Sequence, residues 1–231
     1  MGLSLIVGIL ADLKDQDDEG ADHYRTQFEA VNQALKAKNL PPHREPEDLP
    51  SSYSGDMFGY SALHHLRKIA AFSWAGFDLP TPFEEDPSQD PIVVEYYERL
   101  GEKKPSLLSR LFGKPRLASP RYDHLMFHSD AEGYYLPQDF DAVIHPPKKL
   151  EIAGGMIGSS LRLKNECEAL ARLLHLPLDL DPDGDEVLEA AEASNDGGAP
   201  WQSHGKAAHA CLRLLQACEF SLKHKAAVVF A

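Results

Sequence analysis

Two short apolar runs at opposite ends of the 231-residue sequence constrain its fold more than anything between them. Residues 3–10 read LSLIVGIL and residues 226–230 read AAVVF. Both are rich in Leu, Ile, Val or Ala and have strand length rather than helix length. A buried strand must pair its backbone groups, so the two runs could lie side by side in one small sheet. Residues 1–10 make a poor secretory signal, because no Lys or Arg precedes the apolar part and Asp12 and Lys14 follow it directly.

The intervening periodicity is mostly helical. Tyr24, Phe28, Val31 and Leu35 recur at spacings of 4, 3 and 4, which predicts an amphipathic helix over residues 22–38. Leu63, Leu66, Ile69, Ala70 and Trp74 mark a largely buried helix over 60–74. A short helix is expected at 92–100. Another starts at Ser159 or Ser160, which can cap it, and runs to about 175. A further helix is expected over 185–193, and the longest over 202–224. Residues 40–56 and 77–91 read as Pro-rich loops, 103–121 as a basic connection, and 130–137 as an exposed turn. The reading is an α+β fold, a helix-rich single domain over 1–231 with a few short strands.

Charge narrows the function. Lys and Arg number 23 against 36 Asp and Glu, a balance of −13. Residues 103–121 carry six basic and no acidic residues, so the remainder holds 17 basic against 36 acidic, or −19. Such a chain repels DNA and RNA, whose binding relies on phosphate neutralisation. It attracts and steers a basic protein instead. We therefore expect a basic protein partner, no nucleic acid and no membrane, since no apolar run approaches the roughly 20 residues that span a bilayer. Cys167, Cys211 and Cys218 are odd in number and fall in helical segments, as small buried thiols of a reducing cytoplasm do.

The densest polar stretch is YDHLMFHSDAEGYYLPQDF, residues 122–140. His124 and His128 stand four apart, a spacing that puts two metal ligands on one helical face. Asp130, Glu132, His64 or His65 could complete such a set, but Leu125 occupies the place of a zincin's Glu. His128 beside Asp130 or Asp123, with Ser129 or Ser61, has the residue types of a triad without its motif. Tyr134 and Tyr135, fixed by Gly133 and Pro137, have the rings and polar tips of interface anchors. Residues 179–190, DLDPDGDEVLEA, nearly match a calcium loop but place Ala190 where the bidentate Glu belongs. Residues 154–160, GGMIGSS, lack the Lys of a phosphate-binding loop.

The block His128-Ser129-Asp130-Ala131-Glu132-Gly133-Tyr134-Tyr135-Leu136-Pro137, followed by Asp139-Phe140, resembles a segment of an uncharacterised bacterial protein family. Gly59-Tyr60-Ser61-Ala62-Leu63-His64 and Ile157-Gly158-Ser159-Ser160 extend the likeness. In size and acidity the chain is also loosely similar to polymorphic-toxin immunity proteins. That resemblance implies inhibition of a toxin by binding it. The expectation is an acidic binding module whose surface uses His128, Asp130, Glu132, Tyr134, Tyr135, His64 and His65, with no cofactor. The alternative is a metal-assisted hydrolase built on His64/His65 and residues 124–132.

Overall fold

The N-terminal apolar run stays extended only to Val7, where Gly8 adopts φ 83° and turns the chain into a helix. In a computed structural model, which describes residues 3–57, 59–82, 86–101, 122–192 and 198–230, strand β1 (Ser4–Val7) is followed by α1 (Ile9–Leu13) and α2 (Asp18–Ala37). Next come β2 (Tyr53–Asp56), α3 (Gly59–Ala75), α4 (Pro91–Gly101), α5 (Asp123–Met126) and β3 (Gly133–Leu136). The chain continues through β4 (Ile157–Ser159), α6 (Ser160–Leu174), α7 (Asp185–Glu192), α8 (Pro200–Ser203), α9 (Gly205–His224) and β5 (Val228–Phe230). The expected basic connection at 103–121 lies outside the described residues. No helix among the described residues is long and apolar enough to cross a membrane.

The two terminal runs do pair. Leu5, Ile6 and Val7 lie opposite Phe230, Val229 and Val228 in antiparallel register. The sheet order is β2-β1-β5-β3-β4, with β3 and β4 parallel and the other neighbours antiparallel. Side chains alternate across it. Leu5, Val7, Tyr135, Val228 and Phe230 pack towards α3, α6 and α9, while Tyr134, Leu136, Ala227 and Val229 pack towards α1 and α2. With both faces covered, each fully buried aliphatic side chain contributes about 1.5–3 kcal/mol. The result is a helix-rich α+β fold.

Three strands replace expected loops and turns. Residues 53–56 fall inside the Pro-rich stretch, 133–136 inside the expected turn and 157–159 inside the glycine-rich run. Gly158 is required where it is, since a Cβ there would lie 2.2 Å from Cδ1 of Tyr135 on the adjoining strand. The Pro-rich stretch is itself anchored. His43 and Asn32 exchange two hydrogen bonds of 2.7 and 2.9 Å, and the buried Glu45 accepts the Ala227 N–H at 2.7 Å.

Helix α9 is the hub of the larger core, touching α3, α6 and α7, and its first residue, Gly205, sits against the last turn of α7. A Cβ on Gly205 would lie 1.9 Å from the Ala190 carbonyl oxygen, a backbone atom that cannot rotate away. Gly205→Ala is therefore expected to push α7 off α9 and to destabilise by about 1–3 kcal/mol or more, as overpacking does. The urea unfolding midpoint measures this; a midpoint within error of wild type would contradict the packing described.

Candidate functional site

Residues 122–140 form a polar corner organised by Arg67. This side chain projects from α3 into the fold, only 3% exposed, and all three guanidinium nitrogens are engaged. Nε donates to the Leu125 carbonyl at 2.9 Å and Nη2 to the His128 carbonyl at 2.6 Å, while Nη1 pairs with Asp130. His64, one turn earlier on α3, brings Nε2 to 3.4 Å from the other Asp130 oxygen. Ser129 receives the Ala131 N–H at 3.3 Å and shapes the turn. A cleft of about 610 Å³ opens beside this group, bounded by His64, Tyr97, Phe127, Asp130 and Met156.

His64, His128 and Asp130 are thus brought close, with the His128 ring on the inner side of the group. The His128 ring is buried, stacked on Tyr135 at a centroid distance of 4.0 Å, and Nδ1 donates to the Ser129 carbonyl at 3.1 Å. Burial drives its pKa down to about 3, so the ring is neutral. His65 falls to about 4, first by burial and then by the positive charges of Lys206 and Lys68. It therefore answers to a different neighbourhood from His64. Ser61 is exposed on the first turn of α3. His124 accepts the Ser159 N–H through Nδ1 at 3.0 Å, inside the fold. Among the described residues no three His, Cys, Asp or Glu side chains are grouped to hold a metal ion. The ligand set of the hydrolase alternative is not assembled.

The tyrosine pair is also differently placed from the exposed turn expected of it. Tyr134 and Tyr135 are each 1% exposed. Neighbours on a strand point to opposite faces, so both are buried only where both faces of the sheet are covered. Helix α2 covers the second face, and Tyr134 packs on Phe28 there at 5.5 Å. Tyr135 donates its hydroxyl to the His124 carbonyl at 2.8 Å on the other side. Glu132 is exposed at the tip of the turn.

Sequence reasoning passed over Glu166. Its carboxylate, on α6, accepts the backbone N–H groups of His124 at 3.1 Å and Leu125 at 2.8 Å and so pins α5. Burial raises its pKa to about 8 against the pull of those donors. The adjoining cleft of about 440 Å³ carries Asp123, Asp141 and Arg162 on its wall. Arg162 is held by Asp139 and Asp141 at 2.5 and 2.6 Å.

The surface charge is distributed unevenly, and this is the feature that stands out. Between Leu173 and Gly205 the chain has eight acidic residues and no Lys or Arg. Asp179, Asp181, Asp183, Asp185, Glu186, Glu189 and Glu192 are all exposed, on α7 and the turn before it. The near-calcium loop is this turn: Asp181 accepts the Asp183 N–H at 3.0 Å, and Asp183 pairs with Arg213. Among the described residues no cation pairs with the other six. A second acidic group surrounds the start of α2, with Asp15, Asp17, Asp18, Glu19 and Asp22 exposed beside Glu47 and Asp48. That group is partly compensated, since Arg25 bridges Asp22 and Glu47 at 2.7 and 3.3 Å and Lys14 lies 3.9 Å from Asp48. The signal available in the sequence was the missing cations, not a motif.

A family model described as "Putative DNA-mimic protein" matches residues 1–230. The chain belongs to that family. No curated protein and no solved structure matches it. Membership overturns the partner expected from charge alone, a basic toxin or enzyme with nucleic acid outside the picture. DNA mimicry points to a DNA-binding protein. The repulsion argument was sound for DNA itself, but the same negative surface that repels DNA can take its place.

Histidine burial sets an acid limit on this fold. His128, His65 and His209 have pKa values of about 3, 4 and 4, below the free value of 6.5. The unfolded chain therefore takes up protons first, and stability present above pH 6.5 is lost as pH falls towards 4. The urea midpoint is expected to be lower at pH 5 than at pH 7.5. His128→Phe, which keeps the stack on Tyr135, should reduce that loss. A pH-independent midpoint, or one equally sensitive in the variant, would contradict the neutral buried ring.

Proposed function

We propose that the protein occupies the DNA site of a DNA-binding protein, offering carboxylates where that protein otherwise meets phosphates. The observation that carries this reading is the acidic strip over residues 179–192, where among the described residues only Asp183 meets a cation, Arg213. Helix α7 places four carboxylates, Asp185, Glu186, Glu189 and Glu192, along its length. At 1.5 Å rise per residue they project onto the axis at about one per 3.5 Å. A DNA strand carries one phosphate per roughly 3.4 Å. Carboxylate and phosphodiester both bear one negative charge and both accept a bidentate Arg. Val187, Ala190 and Ala191 bury the inner face of α7 against α9, so the strip is presented on a fixed element. A fixed element loses little conformational freedom on binding.

Inhibition follows from occupancy, because a site filled by this protein excludes DNA. The immunity-like form of the idea is then one case of a wider class, in which the blocked protein acts on DNA. Each exposed pair is worth about 1 kcal/mol or less, so a single neutralised carboxylate is expected to weaken binding by about fivefold at most. The strip acts as an ensemble. Immobilised duplex DNA, loaded with an extract of the source cells and challenged with the purified protein, tests this. The protein is expected to release bound proteins, and Asp179→Asn/Glu189→Gln/Glu192→Gln to require at least tenfold more. These substitutions spare the first-turn acids of α7. Equal release by the variant, or no release by wild type, would refute the assignment.

A further inference from the structure

We infer that the cleft between α5 and α6 binds a small zwitterion of the α-amino acid class. The site uses none of the carboxylates over residues 179–192, and the inference stands whether or not the protein takes the place of DNA.

The cleft encloses about 440 Å³, within the range of small-molecule sites. Asn165 and Glu166 follow Arg162 by three and four residues, so all three reach the cleft from one face of α6. Asp123 and His124 line it from α5, and Asp141 from the segment joining β3 to β4. His124 supplies the observation that points to a ligand. The residue is 2% exposed, and burial lowers its pKa, so the ring is neutral. Nδ1 accepts the Ser159 N–H, which places the ring's proton on Nε2. That N–H is buried and makes no hydrogen bond among the described residues. The nearby Asp141 and Phe140 carbonyls favour a charged ring against burial, but neither reaches hydrogen-bond geometry with Nε2. A buried donor left unmatched is costly, and an acceptor on a ligand removes that cost.

The other half of the ligand follows from charge. Glu166 has no cation partner among the described residues. Its two backbone donors do not offset burial, and its pKa stands at about 8. Asp123 adds a like charge beside it. An ammonium group set against these two carboxyls supplies the missing positive charge. On the donor side, Arg162 engages Asp139 through Nε and Asp141 through Nη2, leaving Nη1 unpaired among the described residues. Nη1, the Asn165 amide and His124 Nε2 together suit a carboxylate. A ligand of one charge sign leaves half of this set unmatched and is repelled by the other half. An α-amino acid carries both groups on one carbon atom.

Amide NMR signals of the isotope-labelled full chain, titrated with each common L-α-amino acid in turn, test this. At least one amino acid is expected to shift the signals of His124, Leu125 and Ser159 along a saturable curve. Putrescine, a cation alone, and acetate, an anion alone, are expected to leave those signals in place at the same concentration. Arg162→Gln should raise the Kd of that amino acid about tenfold, through loss of a charge-assisted hydrogen bond. Asn165→Ala, an exposed change that spares both ion pairs of Arg162, should raise it about threefold and controls for a disturbed segment 139–141. No saturable shift with any amino acid, equal shifts with putrescine or acetate, or an unchanged Kd in either variant would overturn the inference.

Discussion

Strand β5 lies in the middle of the sheet, hydrogen-bonded to β1 on one side and β3 on the other. Everything else hangs on that placement. Pairing residues 5–7 with 228–230 closes a loop of nearly the whole chain, whose entropic cost grows only logarithmically with length. Once closed, it presents two apolar faces. Tyr135, Phe230 and His128 stack on the α9 side, and Tyr134 and Val229 lie under α2. Arg67 then ties the 125–130 turn to α3, so the polar corner takes its shape from the sheet and from that helix.

Much of this was legible in the residues. The terminal strands followed from apolar runs, and the long helices from 3.6-residue periodicity, because those signals arise from burial of a single face. Strands β2, β3 and β4 escaped, since each contains glycine and each owes its conformation to a neighbour. Gly158 is small because Tyr135 lies across from it. The burial of both Tyr134 and Tyr135 could not be read locally either: it depends on α2 covering the far face, more than 90 residues away in sequence.

The functional surface was half legible. Residues 179–190 drew attention as an imperfect calcium loop, and the imperfection was the informative part. Carboxylates that converge on an ion must turn inward; these point outward, along the turn and α7. Charge then permitted two partner classes, because a strongly negative surface attracts any protein with a positive face. Only family membership separates a generic partner from one built to hold DNA. The structure contributes a rigid carrier for the charge, with α7 packed on α9 at Gly205 and its leading turn tied to β2 through Arg213.

The central claim is that the protein and DNA compete for one site on the partner. Fluorescence anisotropy of a labelled duplex bound to a purified, displaced partner measures this directly. The account predicts that added protein returns the signal to that of free duplex, with an apparent inhibition constant that rises in proportion to duplex concentration. A signal that rises further as a three-component complex forms, or an inhibition constant indifferent to duplex concentration, would contradict it.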